Sequence, residues 1–479
     1  MAQQAPRKRS SARKPEQPSY RRALELPGVS ILATSRGASK MASAVVSYGA
    51  MVYLASQQAS QLEVSIIAAS TYAAALLFGI QGGSLSDSLS KRIALVIGYM
   101  AQAALCLLVP YYWGTDVGAL MFIMFLTSAI NQIVTPSIKS ATALVATPAQ
   151  MATVAATISI AGSVASAVGS AFLAPLLIKY TSINVVLAVG GLIYIVGAVR
   201  TWGLPRSEQA GPLMAALRSV EWRPRALSLS ANAKWIVSQR GVATMILVGG
   251  IVVAMFEAFN TLIPIYVRDV LDSDPANSVF IFAPAGIGFL LGTLATPALM
   301  GWMGERKLAL VALGFLSVSM VLFGMVELVA PYLAPFSPLR VVEWLTGMNI
   351  NDKVLAASFI ALPANFGSTA AGASVQVYIN RRVPLETQGA TFGLQEVQEN
   401  ALTLVAVMGL GGIANIVGAQ LVFIFTPFVA IGAVLLMLRY AYRDAIGTPL
   451  GPRDAFGMLA DASFDEPKRR RRRKVQAKP

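Results

Sequence analysis

Residues 82–96 read Gly82-Gly83-Ser84-Leu85-Ser86-Asp87-Ser88-Leu89-Ser90-Lys91-Arg92-Ile93-Ala94-Leu95-Val96. A second stretch reads Gly301-Trp302-Met303-Gly304-Glu305-Arg306-Lys307-Leu308-Ala309-Leu310-Val311, its basic pair 215 residues further on. Each stretch follows a long apolar segment, and each basic pair leads into an aliphatic-Ala-Leu-Val run. Recurrence at this separation implies a duplicated unit, and the flanking sequence shows what that unit is.

The 479 residues are 55% hydrophobic and 13% charged, with a mean hydropathy of +0.62, too apolar for an ordinary water-soluble enzyme. A bilayer core about 30 Å thick needs roughly 20 predominantly apolar residues per helix, because only a helix satisfies its own backbone groups in lipid. Twelve such stretches occur, at 41–56, 63–82, 93–112, 117–138, 152–177, 182–202, 241–266, 278–300, 308–329, 354–379, 389–411 and 418–438. The expected fold is all-α, with twelve transmembrane helices in two six-helix halves related by pseudo-symmetry. The corresponding parts are a basic tail 1–40, a first half 41–202, a linker 203–240, a second half 241–438 and a basic tail 439–479.

Charge supports this count independently. Residues 1–40 and 439–479 hold 20 of the 38 Lys and Arg and 7 of the 23 Asp and Glu, so most of the net +15 lies in the tails and the intervening chain sums to +2. With both termini cytoplasmic, every basic residue falls on cytoplasmic segments except Lys179, Arg268, Arg340 and Lys353. Losing or adding one span would put Arg306 and Lys307, or Arg381 and Arg382, on the wrong side. The basic tails, above all the run from Lys468 to Lys474, are expected to meet anionic lipid headgroups, which outrank nucleic acid as a partner for a tail beside a membrane.

The linker carries Arg206, Arg218, Arg223, Arg225, Lys234 and Arg240, and Pro212 to Val220 reads as a short amphipathic helix with Trp222 and Trp235 placed at headgroup level. A long loop at 330–353 on the other side contains Pro331, Pro335 and Pro338. The first 40 residues lack the apolar core of a cleavable signal peptide, so the first span is expected to act as the targeting signal. Their Arg- and Ser-rich composition is shared with organelle transit peptides, but Pro6, Pro15 and Pro18 break any amphipathic helix there. A bacterial plasma membrane is the expected location.

With no histidine and Cys106 as the single cysteine, histidine relays, Cys-His nucleophiles, metal sites of His and Cys and intrachain disulfides are all disfavoured. Proton chemistry falls to carboxylates, lysine or tyrosine. The chain carries no Gly-x-x-x-x-Gly-Lys-Ser/Thr phosphate loop, no cofactor motif stands out, and neither an enzymatic reaction nor a cofactor is expected.

In its first repeated stretch the sequence resembles the major facilitator superfamily, whose signature between helices 2 and 3 is Gly-x-Leu-Ala-Asp-Arg-x-Gly-Arg-Arg. Gly83, Leu85, Asp87, Lys91 and Arg92 match it, while Ser86, Ser88 and Ser90 replace the usual Ala, Arg and Gly. Parallel six-helix repeats are the architecture of such carriers. Within the superfamily the chain is most similar to the bacterial branch of enterobactin-type siderophore and drug exporters, over Pro136 to Gly169, Gly286 to Gly292 and Gln376 to Gly389. The helix 5 pattern of antiporters ends in Gly-Pro, whereas Gly162 and Gly169 are followed here by Ser163 and Ser170.

The resemblance implies that Gly83, Asp87, Lys91 and Arg92 form a gating loop, with Asp87 accepting bonds from a helix N-terminus. The other reading of Asp87 is a solvated loop acid beside topology-setting bases. Charged groups inside apolar spans are costly and usually face a cavity. Glu257, with Asn260 and Thr261 along the same face, is the leading candidate for proton coupling or substrate binding, against a hydrogen-bonded acid without such a role. Glu396 and Glu399 open helix 11 with a polar stripe, spaced i to i+4 with Asn400 and Gln395, and no embedded base is evident to pair with them. Should helix 11 begin later, they are exposed residues at its end.

Ser47, Tyr48, Asn131, Gln132, Thr135, Asn365 and Gln376 lie on spans that line the central cavity in the superfamily, each taken alone reading as a helix-packing hydrogen bond before a substrate contact. With few fixed charges in the spans, the expected cargo is a small apolar or amphipathic molecule, moved by alternating access as proton-coupled export. A lipid flippase or uptake carrier, and a non-transporting scaffold or assembly factor with a carrier fold, are the competing readings.

Overall fold

In the computed structural model, residues 25–147, 150–204, 236–347 and 349–441 are described, together with 451, 453 and 454. The amphipathic stretch Pro212 to Val220, Trp222, Trp235 and the run from Lys468 to Lys474 lie outside the described residues.

Twelve long helices account for most of the described residues. The first half comprises α1 (Pro27–Ser56), α2 (Gln61–Ser88), α3 (Lys91–Trp113), α4 (Val117–Val145), α5 and α6 (Ile183–Thr201). Helix α5 runs over Met151–Val168, a π-helical turn at Gly169–Leu173 and Ala174–Tyr180. The second half comprises α7 (Arg240–Asp269), α8 (Val279–Met303), α9 (Glu305–Gly324), α10 (Asp352–Arg382), α11 (Leu385–Val417) and α12 (Ala419–Ala441). Eleven of the twelve are long and apolar enough to cross a membrane; α1, with more polar residues, is the exception. The all-α, twelve-helix expectation therefore holds, and the protein is a multi-pass membrane protein.

Local chemistry sets the boundaries. Pro27 occupies the first turn of α1, where a missing N–H costs nothing. A capping box starts α2: the Ser60 hydroxyl accepts from the Glu63 amide at 3.2 Å while the Ser60 amide donates to the Glu63 carboxylate at 2.7 Å. The Asp116 carboxylate accepts from the Ala119 amide at 3.0 Å and caps α4. In the second repeated stretch, Gly304 separates α8 from α9 with φ of +79°, a conformation that suits glycine. The two basic pairs thus sit in the equivalent first turns of α3 and α9, as duplication requires.

Two of these starts lie more than three residues from the sequence reading. Helix α1 begins at Pro27 instead of residue 41, so Arg36 and Lys40 belong to the helix and not to a tail. Helix α11 begins at Leu385 instead of 389, which carries Glu396 and Glu399 about three turns into it. The loop at 330–353 is partly helical, with short helices Val326–Leu333 and Leu339–Thr346.

Each half has its own apolar core. Leu32, Val45, Leu95, Tyr99, Ile123, Leu187 and Tyr194 centre the first, and Phe259, Tyr266, Leu316, Phe323, Ile360 and Phe423 the second. Outward-facing leucines, valines and phenylalanines on α6, α8 and α12, such as Leu294, Phe428 and Val429, are exposed, as a lipid-facing surface requires. The halves meet along α2 against α11 and α5 against α8, pairings that the pseudo-symmetry interchanges.

Candidate functional site

The face where α1 starts and α12 ends is termed the terminal face, and the opposite one the distal face. Hydrogen bonds and ring contacts joining described residues of the two halves concentrate toward the distal face. The Arg268 guanidinium at the end of α7 donates to the carbonyls of Ala55 and Ala59 at 3.0 and 3.1 Å. Its other nitrogens hold Asp269, at 2.6 and 3.1 Å. Lys179 of α5 donates to the Asn277 side-chain oxygen at 2.8 Å, and the Tyr48 ring of α1 meets Phe282 of α8 edge-on at 5.1 Å. Where α2 meets α11, a Cβ on Gly411 would lie 1.8 Å from the Ser65 hydroxyl, so glycine is what permits this approach. Ala68 and Ala69 pack against Ala258 and Val407 just inside it.

The innermost bond between the halves is polar. The Tyr72 hydroxyl of α2 donates to Glu257 Oε2 of α7 at 3.0 Å. Both residues are half-buried and lie about 17 Å from the distal ends of their helices, near the middle of the molecule. The Thr261 hydroxyl donates to the Glu257 carbonyl at 2.8 Å, and Asn260 is half-buried on the same stretch.

Beyond this floor, the solvent exposure of Lys40, Lys139 and Glu396 marks a cleft toward the terminal face, with charges of opposite sign on the two halves that border it. The first half contributes Arg36 and Lys40 of α1 and Lys139 of α4. The second contributes Glu396 and Glu399 of α11, and Glu257 itself. Their positions lie about 24 to 33 Å from the distal ends of their helices, Glu257 excepted. Lys40, Lys139 and Glu396 are solvent-exposed, while Arg36 and Glu399 are half-buried. Arg36 Nη1 donates to Thr135 Oγ1 across to α4 at 3.4 Å, and Gln395 Nε2 donates to Glu399 at 2.7 Å. Lys40 lies near enough to Arg36, Glu257, Glu396 and Lys139 for their charges to act on it. Among the described residues, none of the three cations has a carboxylate within ion-pair distance.

The expectation that no embedded base faces the helix 11 carboxylates is therefore corrected, because it rested on starting the first span at residue 41 and ending the fourth at 138. Arg36, Lys40, Lys139 and Tyr72 were missed. Pro27 was a usable signal for an earlier helix start, and the i to i+4 spacing of Arg36 and Lys40 marks one helix face. Tyr72 carries no comparable signal, since a tyrosine in an apolar helix is ordinary.

The other candidates spread out. Gln132 packs at the α2–α4 contact, where its carbonyl would lie 2.5 Å from a Cβ on Gly82, and its side chain donates to the Ser128 carbonyl at 3.4 Å. Asn131 is half-buried on the same helix. Asn365 donates to the Ala361 carbonyl of its own helix at 3.1 Å, and Gln376 is exposed. At the terminal end of α2, Asp87 lies in the last helical turn, but its side chain is outside the described residues. Gly83 has open space around it. Lys91 donates to the Ser86 carbonyl, and the Arg92 guanidinium stacks over the Trp202 ring at 4.4 Å and donates to the Leu204 carbonyl at 3.4 Å, so both bases tie into the first half.

A family model described as Major Facilitator Superfamily matches residues 32–351. The chain belongs to the major facilitator superfamily. No curated protein matches it. Solved structures of superfamily-like fold include the nucleoside transporter NupG, at 15% identity and a TM-score of 0.59, covering 86% of this chain and 96% of that one. A POT family transporter in complex with 5-aminolevulinic acid aligns at 12% identity and a TM-score of 0.58, covering 86% and 96%. A mutant of the peptide transporter POT in complex with sulfate aligns at 15% and 0.59, covering 89% and 98%. At these identities the likeness is one of fold, and family and fold alike are those of transporters.

Proposed function

We propose that this superfamily member is a proton-coupled secondary transporter that exports a small amphipathic molecule from a bacterial cell by alternating access. In this reading it sits in the plasma membrane with both termini cytoplasmic, within the branch of enterobactin-type siderophore and drug exporters. The observation that carries the reading is the Tyr72–Glu257 bond, which ties the two halves together at mid-depth. A carboxylate that is also a strut between rocking bodies couples its own protonation to their movement: the neutral acid is a weaker acceptor than the charged one, so gaining a proton loosens the distal closure.

The terminal-face cleft then corresponds to a cytoplasm-open state, from which cargo and proton exchange through opposite faces in alternation. Asp87, Gly83, Lys91 and Arg92 are proposed to gate the terminal face when it closes, and the basic tails to rest on anionic headgroups. Vesicles containing the purified protein test the coupling against a panel of amphipathic molecules. Cargo-dependent proton movement is expected, and Glu257→Gln should abolish it. Proton movement that survives Glu257→Gln removes Glu257 from the mechanism, and absence of flux for every molecule favours a scaffold with a carrier fold. Asp87→Asn should slow transport while leaving the protein in the membrane; an unchanged rate would remove the gating role.

A further inference from the structure

We propose that the cleft wall formed by Arg36, Lys40 and Lys139 is an anion site, and that the cargo is an organic anion whose carboxylate, sulfonate or phosphate group is held there. This rests on the transport reading above and deepens it by giving the cargo a charge.

The first observation is convergence. Arg36 and Lys40 are one turn apart on α1, and Gly162 of α5 makes room for both: a Cβ there would lie 3.2 Å from Arg36 Cγ and 3.5 Å from Lys40 Cγ. Thr135, the residue that meets Arg36, lies one turn before Lys139 on α4, so Lys139 shares the face directed at the other two. Three cations from two helices therefore line one wall.

The second observation is that, among the described residues, none of the three cations has a carboxylate as a direct partner, the charges of Glu257 and Glu396 reaching Lys40 only from beyond ion-pair distance. The described residues offer Arg36 a long bond to a neutral hydroxyl, at 3.4 Å. Two of the three carboxylates of the opposite wall are better served, Glu257 by Tyr72 at 3.0 Å and Glu399 by Gln395 at 2.7 Å. The third argument is chemical. A carboxylate in a partly desolvated cleft can take up a proton and become neutral, whereas a guanidinium cannot lose one in a protein. A half-buried guanidinium without a carboxylate partner is costly and is compensated when an anion arrives, with Arg36 able to offer two parallel donors and the exposed Lys40 and Lys139 adding positive charge beside it. Arg36 therefore keeps a fixed positive charge at the site.

Three probes of matched shape test the sign on the purified full-length protein: naphthalenesulfonate, naphthylmethylammonium and naphthalenemethanol, read by thermal stabilisation and titrated to an apparent Kd. The sulfonate is expected to stabilise the protein and the other two not. Its Kd should rise about tenfold in Arg36→Gln and in Lys40→Gln, as loss of a charged hydrogen bond implies. Unliganded melting temperatures report whether each variant is folded, and Lys139→Gln serves as a further reading if Arg36→Gln is not. Equal or better stabilisation by the ammonium probe, or unchanged sulfonate affinity in folded variants, overturns the proposal. Vesicle assays separate this from the transport reading. Sulfonate binding without flux keeps the anion site and removes transport, while flux of the ammonium but not the sulfonate keeps transport and removes the site.

Discussion

A single hydroxyl–carboxylate bond, Tyr72 to Glu257 at 3.0 Å, carries most of the mechanistic weight. A hydrogen bond to a charged group contributes about 1.5–3 kcal/mol, which is a factor of about ten or more in a two-state equilibrium. Tyr72→Phe should therefore shift the molecule toward the distal-open state. The check is maleimide labelling of Ala68→Cys, a position buried where α2 meets α7 and α11, in a Cys106→Ala background. The labelling rate is expected to rise about tenfold, and an unchanged rate would show that the bond does not hold the closure. Arg268→Gln, which releases α7 from the carbonyls of Ala55 and Ala59, should act in the same direction at the distal rim; an unaltered labelling rate would make Arg268 ornamental there. Glu257 was legible in the sequence because a charge in an apolar run is expensive and conspicuous. Its partner was not, because a tyrosine hydroxyl costs little and its use depends on a helix 185 residues away.

At the scale of helices, the sequence located the twelve elements, since lipid demands long apolar runs and glycines end them. Helix starts were less legible where polar residues line a cleft. In α1, Arg36 and Lys40 are polar for the same reason that they are useful, and a hydropathy window reads such residues as tail. Removing Lys139 from the loops leaves the alternation of basic residues between the two faces intact. The glycines of α8 differ in what surrounds them. A Cβ on Gly288 would lie 2.1 Å from the Leu362 carbonyl of α10, whereas Gly286 has open space. Gly288→Val should lower stability by about 1–3 kcal/mol or prevent folding, as overpacking does, and Gly286→Ala should be within about 0.5 kcal/mol of the parent. Thermal unfolding in detergent checks both, and equal effects would contradict the packing of α8 on α10.

For the whole molecule, the repeat at residues 82 and 301 foretold two equivalent six-helix bodies, and the pairings of α2 with α11 and α5 with α8 show how they touch. What no periodicity could give is which end is closed, because that depends on contacts between the bodies, nor that one body presents bases and the other acids. The charge reading changed accordingly: Arg36 and Lys40, counted with the first tail, belong to the helical body, on the half opposite Glu396 and Glu399. In the proposed cycle the two bodies rock about the mid-depth floor, so that one face closes as the other opens. Spin-label distances in the reconstituted protein test it most directly, with one pair at Gln57 and Leu328 on the distal face and another at Thr147 and Asn380 on the terminal face, all four exposed and each pair bridging the halves. Tyr72→Phe or Glu257→Gln is expected to lengthen the distal distance and shorten the terminal one together. Distances that stay fixed on both faces, or that lengthen on both, would contradict it.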